Sequence, residues 1–404
     1  MSAPSPPGRW AVALAGALAL AVAMGIGRFA FTPLLPMMLH DRVIDLHAAS
    51  WLASANYLGY LAGALLCTFQ PWIWARMPGL PAINGPVMVR GGLIATVLLT
   101  LGMAVPLAAI WPLLRFAAGI ASAVVFVYTS GWCLATLARM NHAALGGAIY
   151  TGPGAGIVIS GVFASGMVQW GWHAQTGWLI FGALAFVLTA FVWRTFQGAT
   201  ATAAPAAAAA PPAARGGSAE VACLGLAYGF AGFGYIVTAT FLPVIARQAL
   251  PGSPWLDMFW PTFGLGVMIG ALLATRLRMT LDMRWLLAGC YLMQALGIAI
   301  GVWSPSLAGF AIGSLLLGIP FTAITFFAMQ EVRRLRPHAV ASTMGLMTAL
   351  YGIGQIAGPP MVAAILRQAR DTGAGFTLSL QIAIGALLVG AALYAAMTRA
   401  WPTR

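Results

Sequence analysis

The sequence has very little charge, and all of its basic residues are of one type. Only 7% of the 404 residues are charged, and the 20 basic residues are all arginines because the chain contains no lysine. Seven acidic residues leave a formal net charge of +13. Soluble domains carry about 25% charged residues, so the composition excludes an ordinary soluble domain. The arginines are scattered singly between apolar runs, which argues against a nucleic-acid-binding protein.

The few cysteines give no sign of a metal site or a disulfide framework. Cys67, Cys133, Cys223 and Cys290 all lie in apolar runs, and no two of them have CxxC spacing. We expect them to pack as small apolar side chains. The sequence therefore predicts no bound metal and no cofactor.

Long hydrophobic runs dominate the chain, with 61% hydrophobic residues overall. A helix of about 20 apolar residues crosses the hydrocarbon core of a bilayer. Windows broken by arginine, proline or polar clusters predict twelve spans. They cover residues 10–39, 48–69, 87–106, 108–138, 146–168, 175–196, 220–246, 256–276, 284–303, 306–330, 340–366 and 376–398. We predict an all-α membrane protein that has twelve transmembrane helices and a lipid bilayer as its solvent.

An Ala- and Pro-rich stretch, residues 197–219, divides these spans into two sets of six. It cannot form a core, so we predict two six-helix halves, 1–196 and 220–404, joined by a linker. The halves also share a sequence register at a shift of 207 residues. The matched glycines are Gly25 with Gly232, Gly27 with Gly234, Gly59 with Gly266, and Gly63 with Gly270. A parallel repeat of this kind predicts a substrate site between the halves.

The distribution of arginines predicts the orientation. With the N-terminus in the cytoplasm, fourteen arginines fall on the inner side and four on the outer side, namely Arg42, Arg247, Arg367 and Arg370. Cytoplasmic loops carry the excess of positive residues, so both termini are predicted to be cytoplasmic. We expect a multi-pass protein of the bacterial inner membrane that works as a monomer.

Three of the predicted spans contain recognisable motifs. Span 4 has Arg115 followed by Gly119, span 11 has Gly354 followed by Gly358-Pro359, and residues 25–36 read Gly-Ile-Gly-Arg-Phe-Ala-Phe-Thr-Pro-Leu-Leu-Pro. These motifs resemble those of the major facilitator superfamily, and the first span is similar to that of its YbfB/YjiJ-like bacterial transporters. The resemblance implies two pseudo-symmetric six-helix bundles with spans 1, 4, 7 and 10 lining a central cavity. The loop at residues 70–90 departs from the family pattern because it contains no acid.

Arg28 and Arg115 are the only charged residues well inside predicted spans, and helix geometry puts them at similar depth. All seven acids lie at or near span ends, so none is placed to neutralise Arg28. A charge at membrane depth normally faces a partner or a water-filled path, and arginine holds a planar carboxylate through two parallel hydrogen bonds. We predict a small organic anion as substrate, with Arg28 as its anchor and Arg115 as a second contact or outer gate. Either arginine could instead only bind carbonyls of a neighbouring helix.

The remaining predicted site residues are polar or aromatic side chains on the same spans. Thr32, Tyr235 and Thr325 would donate or accept hydrogen bonds, and Phe126 and Phe326 would form an apolar wall. Weaker candidates are Asn56, Tyr57, Tyr351 and Gln355.

Small residues and terminal acids are the candidates for hinges and for coupling to an ion gradient. Hinge candidates are Gly152, Pro153, Gly354, Gly358 and Pro359, although tight packing explains them equally well. Asp41 and Glu331 are candidates for coupling to protons, and Asp41 could also simply cap a helix.

The leading interpretation is a secondary transporter that works by alternating access. The chain has no Walker motif, so a solute or ion gradient must drive it. An alternative is a facilitative exporter or exchanger of a neutral or amphipathic compound. A remote alternative is a multi-span membrane transferase that uses Asp41 and Asp45, but no outer loop is large, and we expect no enzyme.

Overall fold

A computed structural model of the protein describes residues 7–77, 79, 83–197, 217–253, 255–274, 276, 282–337 and 339–402. Within these ranges the regular structure is entirely helical, and twelve helices are long and apolar enough to cross a membrane. The predicted all-α fold with twelve spans is therefore confirmed. Most of the predicted linker lies outside the described residues, so the division into 1–196 and 220–404 stays a prediction.

We number the membrane-length helices α1 to α12. They are α1 (Arg9–His40), α2 (Leu46–Arg76), α3 (Gly85–Gly102), α4 (Ala108–Arg139), α5 (Ala143–Gln169), α6 (Ala174–Val192), α7 (Ser218–Ala249), α8 (Leu256–Ala274), α9 (Met283–Trp303), α10 (Leu307–Leu335), α11 (Ser342–Gln368) and α12 (Thr372–Ala400). We call the membrane side on which α1 begins the terminal face, and the opposite side the His40 face. The largest error in the predicted ends is at α2, which continues to Arg76 because residues 70–76 are largely aromatic and apolar.

Helix α1 changes its winding in the middle of the membrane. An α-helical segment (Arg9–Leu20) is followed by a π-helical segment (Ala21–Arg28) and then by a second α-helical segment (Phe31–His40). The N–H of Thr32 turns back to the carbonyl of Phe29, and Pro33 has no N–H to donate. The carbonyls at the end of the π-helical segment are thereby left open to side chains from other helices.

Close glycine contacts join equivalent helix pairs in the first six and last six helices. A Cβ built at Gly59 of α2 would lie 1.9 Å from the carbonyl oxygen of Phe116 in α4. A Cβ at Gly270 of α8 would lie 1.7 Å from the carbonyl oxygen of Ile319 in α10. Small residues allow such backbone contact between helices in a membrane. Both glycines belong to the pairs that the 207-residue shift matches.

The first six helices contact the last six through α2 with α11, α5 with α8, and the last segment of α1 with α7. Four hydrogen bonds between described residues cross this boundary. They join Arg28 to Gln355 (2.8 Å), Thr32 to Ala239 O (2.9 Å), Ser54 to Ile356 O (3.1 Å) and Tyr57 to Thr240 (2.9 Å). All four lie at the depth of Arg28 or nearer the His40 face. In the same part of the chain, every ion pair stays within one set of six helices.

Candidate functional site

Arg28 lies at the end of the π-helical segment of α1, between the two sets of six helices. Its side chain is only 4% exposed. Nη2 donates a hydrogen bond to Oε1 of Gln355 in α11 at 2.8 Å. The guanidinium carbon is 4.0 Å from the ring centroid of Tyr60 and 5.4 Å from that of Tyr57. Its buried Nε has no acceptor among the described residues.

A chain of aromatic and polar side chains leads from Gln355 across the last six helices. The Nε2 of Gln355 donates to the hydroxyl of Tyr235 in α7, and the Tyr235 ring stacks on Tyr351 at 6.0 Å. Tyr351 contacts Tyr228 at 4.8 Å, and the Tyr228 hydroxyl donates to Thr325 at 3.1 Å. The structure thus links two predicted site residues, Tyr235 and Thr325, to Arg28. The residue that joins them, Gln355, was only a weak candidate from the sequence.

Arg115 of α4 braces the backbone of α1. Its Nη1 donates to the carbonyl of Gly27 at 3.2 Å, and its Nη2 donates to the carbonyl of Arg28 at 2.9 Å. Its side chain is 2% exposed and lies over the ring of Phe31. These contacts match the alternative in which an arginine binds carbonyls of a neighbouring helix. They also place a second buried positive charge against the backbone of Arg28, and neither arginine contacts an acid among the described residues.

The other predicted contact residues are placed differently. The Thr32 hydroxyl donates to Ala239 O and so joins the two sets of helices. Phe126 packs against Tyr150, with ring centroids 6.0 Å apart, and Phe326 packs against Phe327. In the described part of the chain, no ring contact joins either phenylalanine to the aromatic chain at Gln355. Their role as an apolar wall stays a prediction.

The hinge candidates lie at tight contacts and at breaks in helix geometry. Gly152-Pro153 marks the change in α5 from a 3₁₀ segment (Ala143–Thr151) to an α-helical segment (Gly152–Gln169). A Cβ at Gly354 would lie 2.3 Å from the carbonyl oxygen of Gly229, and one at Gly358 would lie 2.4 Å from the side chain of Ile236.

Pro359 lies inside α11, where a proline removes one backbone hydrogen bond. Packing accounts for the two hinge candidates Gly354 and Gly358 of α11, and the hinge role stays a prediction.

Asp41, the first coupling candidate, caps α6. One oxygen accepts from the backbone N–H of Ala174 at 2.6 Å, and the other lies 3.1 Å from Nδ1 of His173. Burial opposes ionisation of this carboxyl group, but the hydrogen bonds outweigh it and hold the pKa of Asp41 below its usual value. Asp41 also borders a cavity of about 240 Å³ at the His40 face, with Trp111 and Trp178.

Glu331, the second coupling candidate, belongs to a charge cluster at the terminal face. Arg334 holds both of its oxygens, through Nε at 3.0 Å and Nη2 at 2.6 Å. The fully buried Arg284 lies between Glu220, Asp282 and Glu331. Burial opposes ionisation of Asp282, but its hydrogen bonds to Arg284 lower its pKa below the usual value. The burial of Glu220 and Arg284 was not predicted from the sequence, because both stand at span ends.

Comparison with known proteins assigns the chain to a family. The family described as "Uncharacterised MFS-type transporter YbfB" matches residues 20–395. The chain belongs to this family. It is therefore a multi-pass transmembrane transporter of small molecules, as the sequence predicted, and the alternative of a membrane transferase is not supported.

Solved structures of other transporters share the fold. The nucleoside transporter NupG aligns with a TM-score of 0.73 at 13% identity, over 96% of this chain and 99% of that one. A bacterial homologue of the human lysosomal transporter Spinster aligns at 15% identity over 98% of both chains. Its TM-score is 0.70 in the inward-facing, occupied conformation and 0.71 in the inward-facing, unoccupied one. At these identities the likeness shows the fold alone. No curated protein sequence matches the chain.

Proposed function

We propose that the protein is a secondary transporter that moves a small organic anion by alternating access, with Arg28 as the anchor of the substrate. One observation carries this proposal. Arg28 is a buried cation between the two sets of helices, and its described contacts are an amide and aromatic rings, with no carboxylate. A buried charge without a counter-charge is costly. An anion that enters the site removes that cost. The free energy of substrate binding is then gained at the boundary where the two halves meet.

The surroundings of Arg28 favour an anion over a cation. Arg115 donates directly to the backbone carbonyl of Arg28, so a second buried positive charge lies against the residue that carries the first. Two positive charges in a low-dielectric region attract an anion strongly. The face of Tyr60 offsets part of the Arg28 charge through a cation–π contact. A ring cannot accept two in-plane hydrogen bonds, so it leaves the hydrogen-bonding edge of the guanidinium to another partner.

The distribution of contacts between the halves supports alternating access. The hydrogen bonds that cross the boundary are confined to the depth of Arg28 and the His40 face. Near the terminal face, the charge cluster around Arg284 lies wholly within the last six helices. Among the described residues, the hydrogen bonds between the halves therefore lie at the site and on its His40 side, while near the terminal face the halves meet through packing, as at Gly345 and Thr68. From the excess of arginines we propose that the terminal face is cytoplasmic, in a bacterial inner membrane.

Facilitated exchange without proton coupling is a second candidate for the transport mode. Asp41 is engaged as a helix cap, and Glu331 is held by Arg334, so both coupling candidates already have structural partners. A neutral or amphipathic compound could use the hydroxyl groups of Tyr228 and Thr325. This candidate predicts uptake that never exceeds equilibrium.

Transport in proteoliposomes tests the proposal. Wild-type protein is screened for counterflow of small carboxylates and of the matching neutral amides, and Arg28→Lys is screened beside it. We expect carboxylates to be transported and amides not. Arg28→Lys keeps the charge but loses the planar fork, so its transport should fall well below wild type at equal expression. Transport of amides with no preference for carboxylates would refute the anion proposal and favour the exchanger.

A further inference from the structure

One edge of the Arg28 guanidinium is only half used. Nη2 donates to Oε1 of Gln355. Nε, on the same edge, is buried and has no acceptor among the residues that the structure describes. A planar carboxylate offers two oxygens that match the Nε and Nη2 donors of one such edge. The amide of Gln355 offers a single oxygen, so Arg28 is one acceptor short.

In two other arginines of the same protein, both the Nε and the Nη2 donor of this edge have an acceptor. Arg334 holds Glu331 with Nε to Oε2 at 3.0 Å and Nη2 to Oε1 at 2.6 Å. Arg284 holds Asp282 with Nε to Oδ1 at 3.0 Å and Nη2 to Oδ2 at 2.8 Å. In both cases the edge takes both oxygens of a carboxylate. Arg28 presents the same edge at the boundary between the halves without such a partner.

We infer that the substrate's carboxylate occupies the Nε–Nη2 edge of Arg28 and displaces the side-chain amide of Gln355. Gln355 is then a built-in competitor that holds the place of the substrate in the empty transporter. This inference rests on the proposed function and narrows it to planar carboxylates. A neutral amide fills the edge no better than Gln355 already does, and it brings no charge to balance the arginine.

Displacement of Gln355 also changes the boundary between the halves. The bond from Arg28 to Gln355 is one of the four hydrogen bonds that join the first six helices to the last six. When a carboxylate replaces the amide, α11 loses its tie to α1, while Gln355 keeps its bond to Tyr235 within the last six helices. Substrate binding thereby loosens the halves at the depth of the site. Gln355 sets both specificity and the stability of the empty state.

A first test needs no ligand and compares two glutamines that are equally buried. Gln355 and Gln294 are each 1% exposed, but the Nε2 of Gln294 donates only to the carbonyl of Leu317, and no arginine bonds to its side chain in the described structure. Gln355→Glu places a carboxylate on the half-used edge, and the Tyr235 hydroxyl can donate to it. Gln294→Glu buries the same charge without a partner.

We expect purified Gln355→Glu to unfold at or above the wild-type temperature at pH 7, and Gln294→Glu to unfold well below it. If Gln355→Glu is destabilised as much as Gln294→Glu, the edge does not accept a carboxylate and the inference is wrong.

A second test uses benzoate and its neutral isostere benzamide as probes, with binding followed by thermal shift. Benzoate should stabilise the wild type and benzamide should not. Gln355→Ala should bind benzoate roughly tenfold tighter, because one competing hydrogen bond to a charged group is removed. Gln355→Glu should lose benzoate binding.

The outcomes separate this inference from the proposed function. Benzoate binding to folded Arg28→Gln at wild-type strength would overturn both. Loss of binding in Arg28→Gln together with equal or weaker binding in Gln355→Ala would overturn the competitor role alone. Equal stabilisation of the wild type by benzoate and benzamide would overturn the assignment of carboxylates.

Discussion

Replacing Gly270 with alanine should force α8 and α10 apart. A Cβ at this position would lie 1.7 Å from the carbonyl oxygen of Ile319 and 2.7 Å from its carbonyl carbon, whereas ordinary contact begins at 3.4 Å. The atom that it meets belongs to the backbone and cannot rotate away. The two helices must therefore separate by roughly 1–2 Å or bend locally.

The expected loss of stability follows from that separation. A gap of about 0.5–1 Å already forfeits a quarter to a half of the dispersion energy of each contact, and overpacking a tight interior costs about 1–3 kcal/mol. Alanine is the better helix former, by about 1 kcal/mol. Because helices in a membrane associate mainly through packing, the steric loss should dominate. We expect a net destabilisation of about 1–2 kcal/mol.

Gly289→Ala in the adjacent helix α9 is the matched control. Nothing lies within 4 Å of a Cβ built at Gly289, so this variant gains helix propensity without a clash. Unfolding of the purified variants in mixed detergent micelles, titrated with a denaturing detergent, measures the difference. Gly270→Ala should unfold first, and Gly289→Ala should match or exceed the wild type. Equal stability of the two variants would show that the close contact between α8 and α10 does not exist.

Three further predictions concern topology, capping and coupling. Reporter fusions after residues 173 and 371 should report outside and a fusion after residue 208 inside; an outside signal at 208 would break the model of two six-helix halves. Asp41→Ala should cost about 1 kcal/mol by removing the cap of α6. Because the pKa of Asp41 lies below its usual 3.8, the contribution of the cap should be complete well above pH 4 and vanish as the pH falls through the lowered pKa. Unfolding of the wild type and of Asp41→Ala as a function of pH measures this dependence. If Asp41 or Glu331 couples transport to protons, at least one of Asp41→Asn and Glu331→Gln should lose uphill transport in proteoliposomes and keep counterflow; accumulation by both variants would exclude these two groups.

The sequence predicted the twelve helices because the bilayer leaves few choices. Backbone groups in hydrocarbon must be satisfied within the helix, so each long apolar run becomes a span. The π-helical segment of α1 could not be foreseen in this way. It combines a local cause, the missing N–H of Pro33, with carbonyl contacts from Arg115, which lies 87 residues from Arg28 in the chain.

Arg28 was found from sequence for a simple physical reason. A charge in an apolar run needs a partner, and the chain offers no acid nearby. Where that partner comes from is a tertiary question, and the amide of Gln355 reaches Arg28 across 327 residues. The same holds for the Thr32 hydroxyl, which meets a carbonyl of the other half. A lone amide inside the apolar run of α11 marked Gln355 as a candidate from the sequence. The sequence did not indicate which residue that amide contacts.

The most direct test of the central claim is substrate binding to purified, folded Arg28→Gln. Glutamine at this position keeps a polar amide but carries no charge and has a shorter side chain, so the folded state of the variant is checked alongside binding. We predict that a carboxylate bound by the wild type no longer binds, while the variant still elutes as a monodisperse, folded protein. Wild-type affinity in that folded variant would contradict the role of Arg28 as the substrate anchor.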